Sequence, residues 1–257
     1  MSDRNSLEEL ESGYEGVAEY YDLFADNSDI PFFTEYANRM GSPILDLAAG
    51  TGRVTFALAN EGFEVVALEK SKSMLSVARR KLDQSPTEVA RRVKIIEGTM
   101  KNFALDRKFS LIIVPNSFGH LLTSQDQLSA LSSIKNHLKD DGIFILDLYP
   151  GALQYEQATF EDSPQRMSNG NIVRRIGEIK SDFPKQLMRL ELCYLVQDDE
   201  GHVIKETKVV SGAALIFNRE ADLLIRISGL NVEDEFGDFE KHPYTHDSGR
   251  RIFILRK

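Results

Sequence analysis

A turn of small residues, Leu45-Asp46-Leu47-Ala48-Ala49-Gly50-Thr51-Gly52-Arg53, is the first place in this sequence where residue type and spacing suggest chemistry. It follows the apolar run Ile44-Leu45-Asp46-Leu47 and precedes Val54, Ala57 and Leu58 at helical spacing. Small residues between a strand and a helix let a ligand approach the backbone. They also aim the free amides of the helix N-terminus at it. A nicotinamide dinucleotide and a phosphate both suit such a turn. Thr55 stands where a dinucleotide fingerprint has its third glycine. Gly52 is followed by Arg53 and Val54, not by the Lys-Ser/Thr of a phosphate loop. Asp46, on the strand before the turn, suits a ligand bearing an ammonium group. Glu69 closes a second apolar run, Val65-Val66-Ala67-Leu68, where a carboxylate accepts hydrogen bonds from ribose hydroxyls.

The elements that must hold these residues alternate. Strands are predicted at Ile44–Leu47, Val65–Leu68, Val93–Ile96, Leu111–Val114 and Ile143–Leu146, the last entered by an Asp141-Gly142 turn. Ser71 caps a helix with the stripe Met74, Leu75, Ala78 and Leu82. Ser124 and Gln127 have the spacing of a capping box before Leu128, Leu131, Ile134 and Leu138. Apolar strands alternating with amphipathic helices imply a parallel sheet covered on both faces. From about residue 170 to 216 the period changes to two, with a hairpin turn at Asp198-Asp199-Glu200-Gly201. The expected fold is therefore α/β: a doubly wound, Rossmann-like sheet with an inserted small antiparallel sheet. Four zones follow: a helical N-terminal lid (1–40), the α/β core (41–150), the inserted sheet or substrate cap (151–216), and a closing helix and strands (217–257).

Composition narrows the function. With 257 residues, the chain can bury one core plus a small insertion. It carries 31 basic and 40 acidic side chains, a formal net charge of −9. No basic face of the kind that grips phosphodiester backbones is visible, so nucleic acid is not the expected partner. Arg79-Arg80-Lys81 and Arg91-Arg92 read as solvated helix faces. The single Cys193 sits in an alternating strand pattern and builds neither an internal disulfide nor a zinc site. No apolar run is long enough to cross a bilayer, and the polar, acidic first residues lack the pattern of a signal peptide. A cytoplasmic protein without membrane or metal partner is expected, as a monomer or homodimer.

Ile44 to Leu148 resembles the core of class I S-adenosylmethionine-dependent methyltransferases. Asp46, Ala48, Gly50 and Gly52 match the family's first motif, Glu69 its ribose acid, and Ser71, Met74 and Leu75 its Ser-x-x-Met-Leu. The resemblance implies a seven-stranded sheet whose last strand is antiparallel. It implies S-adenosyl-L-methionine as cofactor, with Arg53 beside the glycine turn and Lys70 or Met74 flanking the adenine. Where the family often has Gly-Asp-Met, this chain has Gly98-Thr99-Met100, so a threonine hydroxyl replaces the carboxylate at the adenine. Tyr14 to Asp22 resembles the lid of small-molecule members, which places Tyr21 over cofactor and substrate. Pro115 and Asn116, ending the fourth strand, fall beside the cofactor sulfur, with His120 one turn beyond. The Pro-Pro pair of enzymes that methylate nucleic-acid bases is missing here, as is the paired-glutamate loop of protein arginine methyltransferases.

The implied reaction is in-line methyl transfer to nitrogen or oxygen of a small-molecule acceptor. Tyr21, Asn116 and His120 are the candidate catalytic residues. The unperturbed His120 pKa of roughly 6.5 suits proton removal near neutrality; the competing role is a histidine that hydrogen-bonds the backbone. His137 and His202 are expected on the surface. His242 and His246 flank Pro243-Tyr244 in a loop expected to approach the substrate, and Asp147 and Tyr149 lie just past the fifth strand. The alternatives are a catalytically silent S-adenosylmethionine-binding module and an NAD-dependent oxidoreductase, the latter disfavoured by the lack of a Tyr-x-x-x-Lys.

Overall fold

The computed structural model describes residues 10–11, 13–149 and 156–257. Seven strands form the main sheet: β1 (Ile44–Leu47), β2 (Val65–Glu69), β3 (Val93–Glu97), β4 (Phe109–Val114), β5 (Leu138–Leu148), β11 (Asn231–Phe236) and β12 (Arg251–Arg256). Their order is β11-β12-β5-β4-β1-β2-β3. The first five run parallel, and β12 is antiparallel to both neighbours. The chain winds outward from β1 to β3, then crosses back to β4. The reversal opens a crevice at the carboxyl ends of β1 and β4, where open α/β sheets bind ligands.

Period two along each strand sends alternate side chains to opposite faces. Leu45 and Leu47 join Ile112, Val114 and Phe144 on one face, packed by helices α6 (Ser124–His137) and α7 (Asn218–Ser228). Ile44 joins Leu111, Ile113 and Ile145 on the other, packed by α2 (Ile30–Met40) and α3 (Arg53–Asn60). Ser71 caps α4 (Lys72–Gln84): its hydroxyl accepts the Met74 N–H at 3.2 Å.

The inserted sheet is larger than the alternating pattern suggests. Besides β8 (Ile172–Asp182), β9 (Leu187–Gln197) and β10 (Val203–Ala214), it contains β6 (Gln157–Glu161) and the short β7 (Gln165–Arg166). One face of it buries Leu192, Tyr194 and Val196 against Val17 and Tyr20. The ring of Tyr20, on the one-turn helix α1 (Ala18–Tyr21), stacks on that of Tyr194 at 5.5 Å between centroids. The N-terminal aromatics thus bridge sheet and core. Residues 1–9, including the start of the expected lid, lie outside the described residues.

Three local expectations are corrected. The cap of α6 is Thr123, whose hydroxyl accepts the Asp126 N–H at 3.1 Å, whereas Ser124 already lies in the first turn. Gln127 closes no capping box; its amide donates to the Leu121 carbonyl at 2.9 Å. Asp141-Gly142 is not a turn before β5 but a bulge inside it: partner positions run from Phe109↔Leu138 to Leu111↔Ile143. Gly142 is required there, because a Cβ would lie 3.0 Å from the Phe109 carbonyl oxygen. A short helix α5 (Thr87–Ala90) also precedes β3. Among the described residues, no helix is long and apolar enough to cross a membrane.

The corrected cap has a measurable consequence. Thr123→Ala should cost about 1 kcal/mol in urea unfolding, whereas Ser124→Ala should stay within about 0.5 kcal/mol of wild type.

Candidate active site

Glu69 organises the crevice. Its Oε2 accepts the Gly50 N–H at 2.9 Å, and its Oε1 accepts the N–H groups of Lys70 and Ser71 at 2.9 and 2.7 Å. The glycine turn and the loop after β2 are therefore held by one buried carboxylate. A carboxylate has about four acceptor positions, so one remains for a ligand hydroxyl. Gly50 takes φ of 59°, and a Cβ there would point into open space.

Above this carboxylate lies a cavity of about 900 Å³, mouth included. Ala48, Gly50 and Glu69 form its floor, with Lys70, Met74 and Gly98 along one side. Thr99, Met100, Tyr21, Asn116 and His120 complete the sequence-predicted residues that it collects. The Thr99 hydroxyl accepts the Lys101 N–H at 3.2 Å and keeps its own proton for an acceptor. Four predicted residues fall outside this lining. Gly52 and Arg53 line a separate open groove, where Arg53 makes a bidentate ion pair with Asp29 at 2.5 and 2.6 Å. Pro115 lies behind Asn116 at the end of β4.

Asp46 is the fourth. It shares the parity of Ile44, so it faces α3 and accepts the Thr55 hydroxyl at 2.6 Å. Thr55 was recognisable in sequence only as the place of a missing glycine; its role is to hold this acid. The second oxygen, Asp46 Oδ1, is buried without a partner. Burial raises the Asp46 pKa to about 7 against the smaller opposing pull of the Thr55 hydrogen bond. An unpartnered buried carboxylate oxygen beneath the turn, a ribose-type acid and a cavity of this size fit a nucleoside carrying a cationic amino-acid tail.

A second cavity, of about 810 Å³, opens between the core and the inserted sheet. Tyr14, Asn116 and His120 line both cavities. His120 Nδ1 lies 2.9 Å from the Gly212 carbonyl oxygen. A carbonyl only accepts, so Nδ1 carries the proton and Nε2 keeps its lone pair. Burial holds the His120 pKa below its ordinary 6.5, which keeps the ring neutral at pH 7. Tyr14 meets it edge-on at 6.1 Å and meets Tyr21 edge-on at 5.5 Å. Burial raises both tyrosine pKa values, so neither is a phenolate near neutrality.

Asn116 has φ of 45°, an uncommon conformation for a residue other than glycine. Asp147 holds it: Asp147 Oδ2 accepts the Asn116 N–H at 3.0 Å, and Arg250 Nη1 bonds both Asp147 oxygens at 3.0 and 2.9 Å. Burial raises the Asp147 pKa to about 6 against the pull of Arg250. Tyr149 is 55% exposed at the cavity rim.

The remaining histidines are differently placed than expected or lie aside. His137 is buried, not a surface residue: its Nε2 accepts the Leu105 N–H at 2.8 Å and its ring packs on Phe103. The helix end it occupies turns inward onto the loop before β4. His242 pairs with Asp238 in an exposed loop, and neither it nor His246 lines either cavity. Cys193 is half-buried, its Sγ 3.8 Å from Glu206 Oε1.

A parallel sheet that reverses at β1 and β4, with an acid-held glycine turn and a nucleoside-sized cavity at the reversal, defines a class I methyltransferase fold. Residues 44–142 match the model of the methyltransferase domain family. The chain is a class I S-adenosylmethionine-dependent methyltransferase. It is 27% identical over 252 residues to the dTDP-3-amino-3,4,6-trideoxy-alpha-D-glucopyranose N,N-dimethyltransferase of Streptomyces venezuelae, covering 92% of this chain and 96% of that one. It is 26% identical over 228 residues to the cypemycin N-terminal methyltransferase of a Streptomyces species, covering 84% of each. Among solved structures, the CcbJ methyltransferase of Streptomyces caelestis superimposes with a TM-score of 0.77 at 21% identity, over 96% of this chain and 98% of that one.

The raised Asp46 pKa has a definite sign. The folded chain keeps this proton up to about pH 7, whereas the unfolded chain releases it near 3.8. Stability from Asp46 is full below the lower value and is lost as pH rises through the upper one. Asp46→Asn, which cannot ionise, should match wild type in melting temperature only below about pH 3.8, then gain on it as pH rises, exceeding it by roughly several degrees at about pH 8.

Proposed function

We propose that this methyltransferase methylates an amine nitrogen on a small-molecule acceptor in the cytoplasm, as a monomer or homodimer, and not a nucleic acid. The observation that carries the reading is the neutral His120, its lone pair free on Nε2, on the boundary between the two cavities. The relatives named above are named for methylation at amino groups, which favours nitrogen over oxygen. When bound, S-adenosylmethionine supplies an electrophilic methyl group on a sulfonium.

The chain's residues divide the work. Glu69 and Thr99 hold the nucleoside, Asp46 lies beneath the turn that receives the ammonium, and Met74 and Met100 flank the base. Asn116 faces both chambers and is fixed in place by Asp147. Tyr14 and Tyr21 cover the junction and exclude water as the lid; the inserted sheet caps the acceptor. His120 Nε2 takes the proton that the acceptor amine releases. Alignment of this kind contributes about 7–11 kcal/mol, and a general base a factor of about 10²–10⁴. Positioning is the larger contribution.

Calorimetric titration with S-adenosylmethionine and S-adenosylhomocysteine tests the cofactor site; roughly micromolar binding, about −8 kcal/mol, is expected, with none for NAD. Asp46→Ala should weaken that binding by about tenfold or more in a chain that still melts cooperatively. With an amine acceptor, His120→Gln should lower kcat about 10²-fold while leaving cofactor affinity unchanged. An unaltered kcat would remove His120 from the proton transfer.

A further inference from the structure

The second cavity has a chemical character that the relatives' names do not suggest. Met188 and Leu190 on β9, Leu148 at the end of β5, and Ala213, Leu215 and Ile216 at the end of β10 make most of its wall apolar. Its uncharged polar side chains are the neutral His120, Asn116, Tyr14, Tyr149 at the rim, and the Ser211 hydroxyl, which is buried without a hydrogen-bond partner. Its one ionised side chain among the described residues is a carboxylate, Asp147. Neither lysine nor arginine lines it among the described residues.

The guanidinium of Arg250, beside Asp147, is committed elsewhere. Arg250 is bonded to both oxygens of Asp147 and lies over the rings of Tyr149 and Phe239, at 5.4 and 4.8 Å from their centroids. A diphosphate needs cations or converging N–H groups. It would instead meet an apolar wall and a carboxylate. The amino sugar that names the Streptomyces venezuelae relative is carried on dTDP.

We propose that the acceptor chamber selects an amine borne on an apolar body, with Ser211 meeting one uncharged polar group of that body, and rejects nucleotide-diphosphate acceptors. This rests on the methyl-transfer reading above. The apolar wall supplies affinity roughly in proportion to buried area. Ser211 supplies specificity, because a buried hydroxyl left unpaired is costly and an acceptor group that satisfies it is preferred.

The test is a binding series on the full chain loaded with S-adenosylhomocysteine, titrated with n-butylamine, n-hexylamine and n-octylamine, and separately with dTDP. Affinity should rise about fourfold per methylene, the increment of a buried CH₂. dTDP should neither bind nor displace n-octylamine. Leu190→Ser should flatten the series while keeping S-adenosylhomocysteine affinity and a cooperative melt, at a lowered melting temperature because Leu190 packs on the Leu192–Tyr194 cluster. A flat wild-type series, no binding by any amine, displacement by dTDP, or an unchanged slope in Leu190→Ser overturns the proposal. The two failures are separable: loss of S-adenosylhomocysteine binding defeats the methyl-transfer reading, whereas intact binding with a flat series defeats only the chamber assignment.

Discussion

Three backbone N–H groups converge on the carboxylate of Glu69, and the rest of the site is arranged around that convergence. Gly50 belongs to the turn after β1, and Lys70 and Ser71 to the loop after β2. Parallel strands leave such loop amides without ladder partners at the sheet edge, where water or a side chain must satisfy them. One buried acid does it for both loops. It thereby fixes the distance between the floor of the cavity and the N-terminus of α4, on which Met74 rides. The Gly98 N–H, bonded to the Glu69 carbonyl at 2.9 Å, brings the loop after β3 into the same arrangement.

The N-terminal segment is fastened to this frame by charge. Asp22 accepts the Thr51 hydroxyl at 2.6 Å and pairs with Lys81 at 2.6 Å. Glu19 pairs with Arg80, and Arg53 with Asp29. The exposed pairs among these contribute little individually. Their effect is positional: they bring Tyr14 and Tyr21 over the cavity, while Tyr20 and Val17 insert into the inserted sheet. Charged residues that read as a solvated helix face, Arg80 and Lys81, are therefore the docking points of another segment.

The order of strands and helices was legible because it is carried by local periodicity. The glycine turn, the Glu69 position and the Ser71 cap were legible for the same reason: each is a short pattern with one physical meaning. What was not legible depends on partners distant in sequence. Asp147 reaches Asn116 and Arg250 across three strands, and nothing near it in the chain announces that. Asp46 was legible as an acid adjoining the turn; that strand parity sets one of its oxygens on Thr55, outside the cavity lining, was not. His137 looked exposed at a helix end until the loop before β4 covered it. The strands β6 and β7 were missed because they are short and their burial is slight: β6 alternates cleanly, but over only five residues, and β7 has two.

Tyr14 belongs to the linings of both chambers, in ring contact with Tyr21 on one side and His120 on the other. It cannot withdraw from one chamber without unsealing the other. Its ring is thus one wall of both compartments, together with Asn116 and His120, and a shift of that ring reshapes the two at once. The first cavity is built on the loops of the main sheet and much of the second on the inserted sheet, so the ring is a joint between two separately folded surfaces.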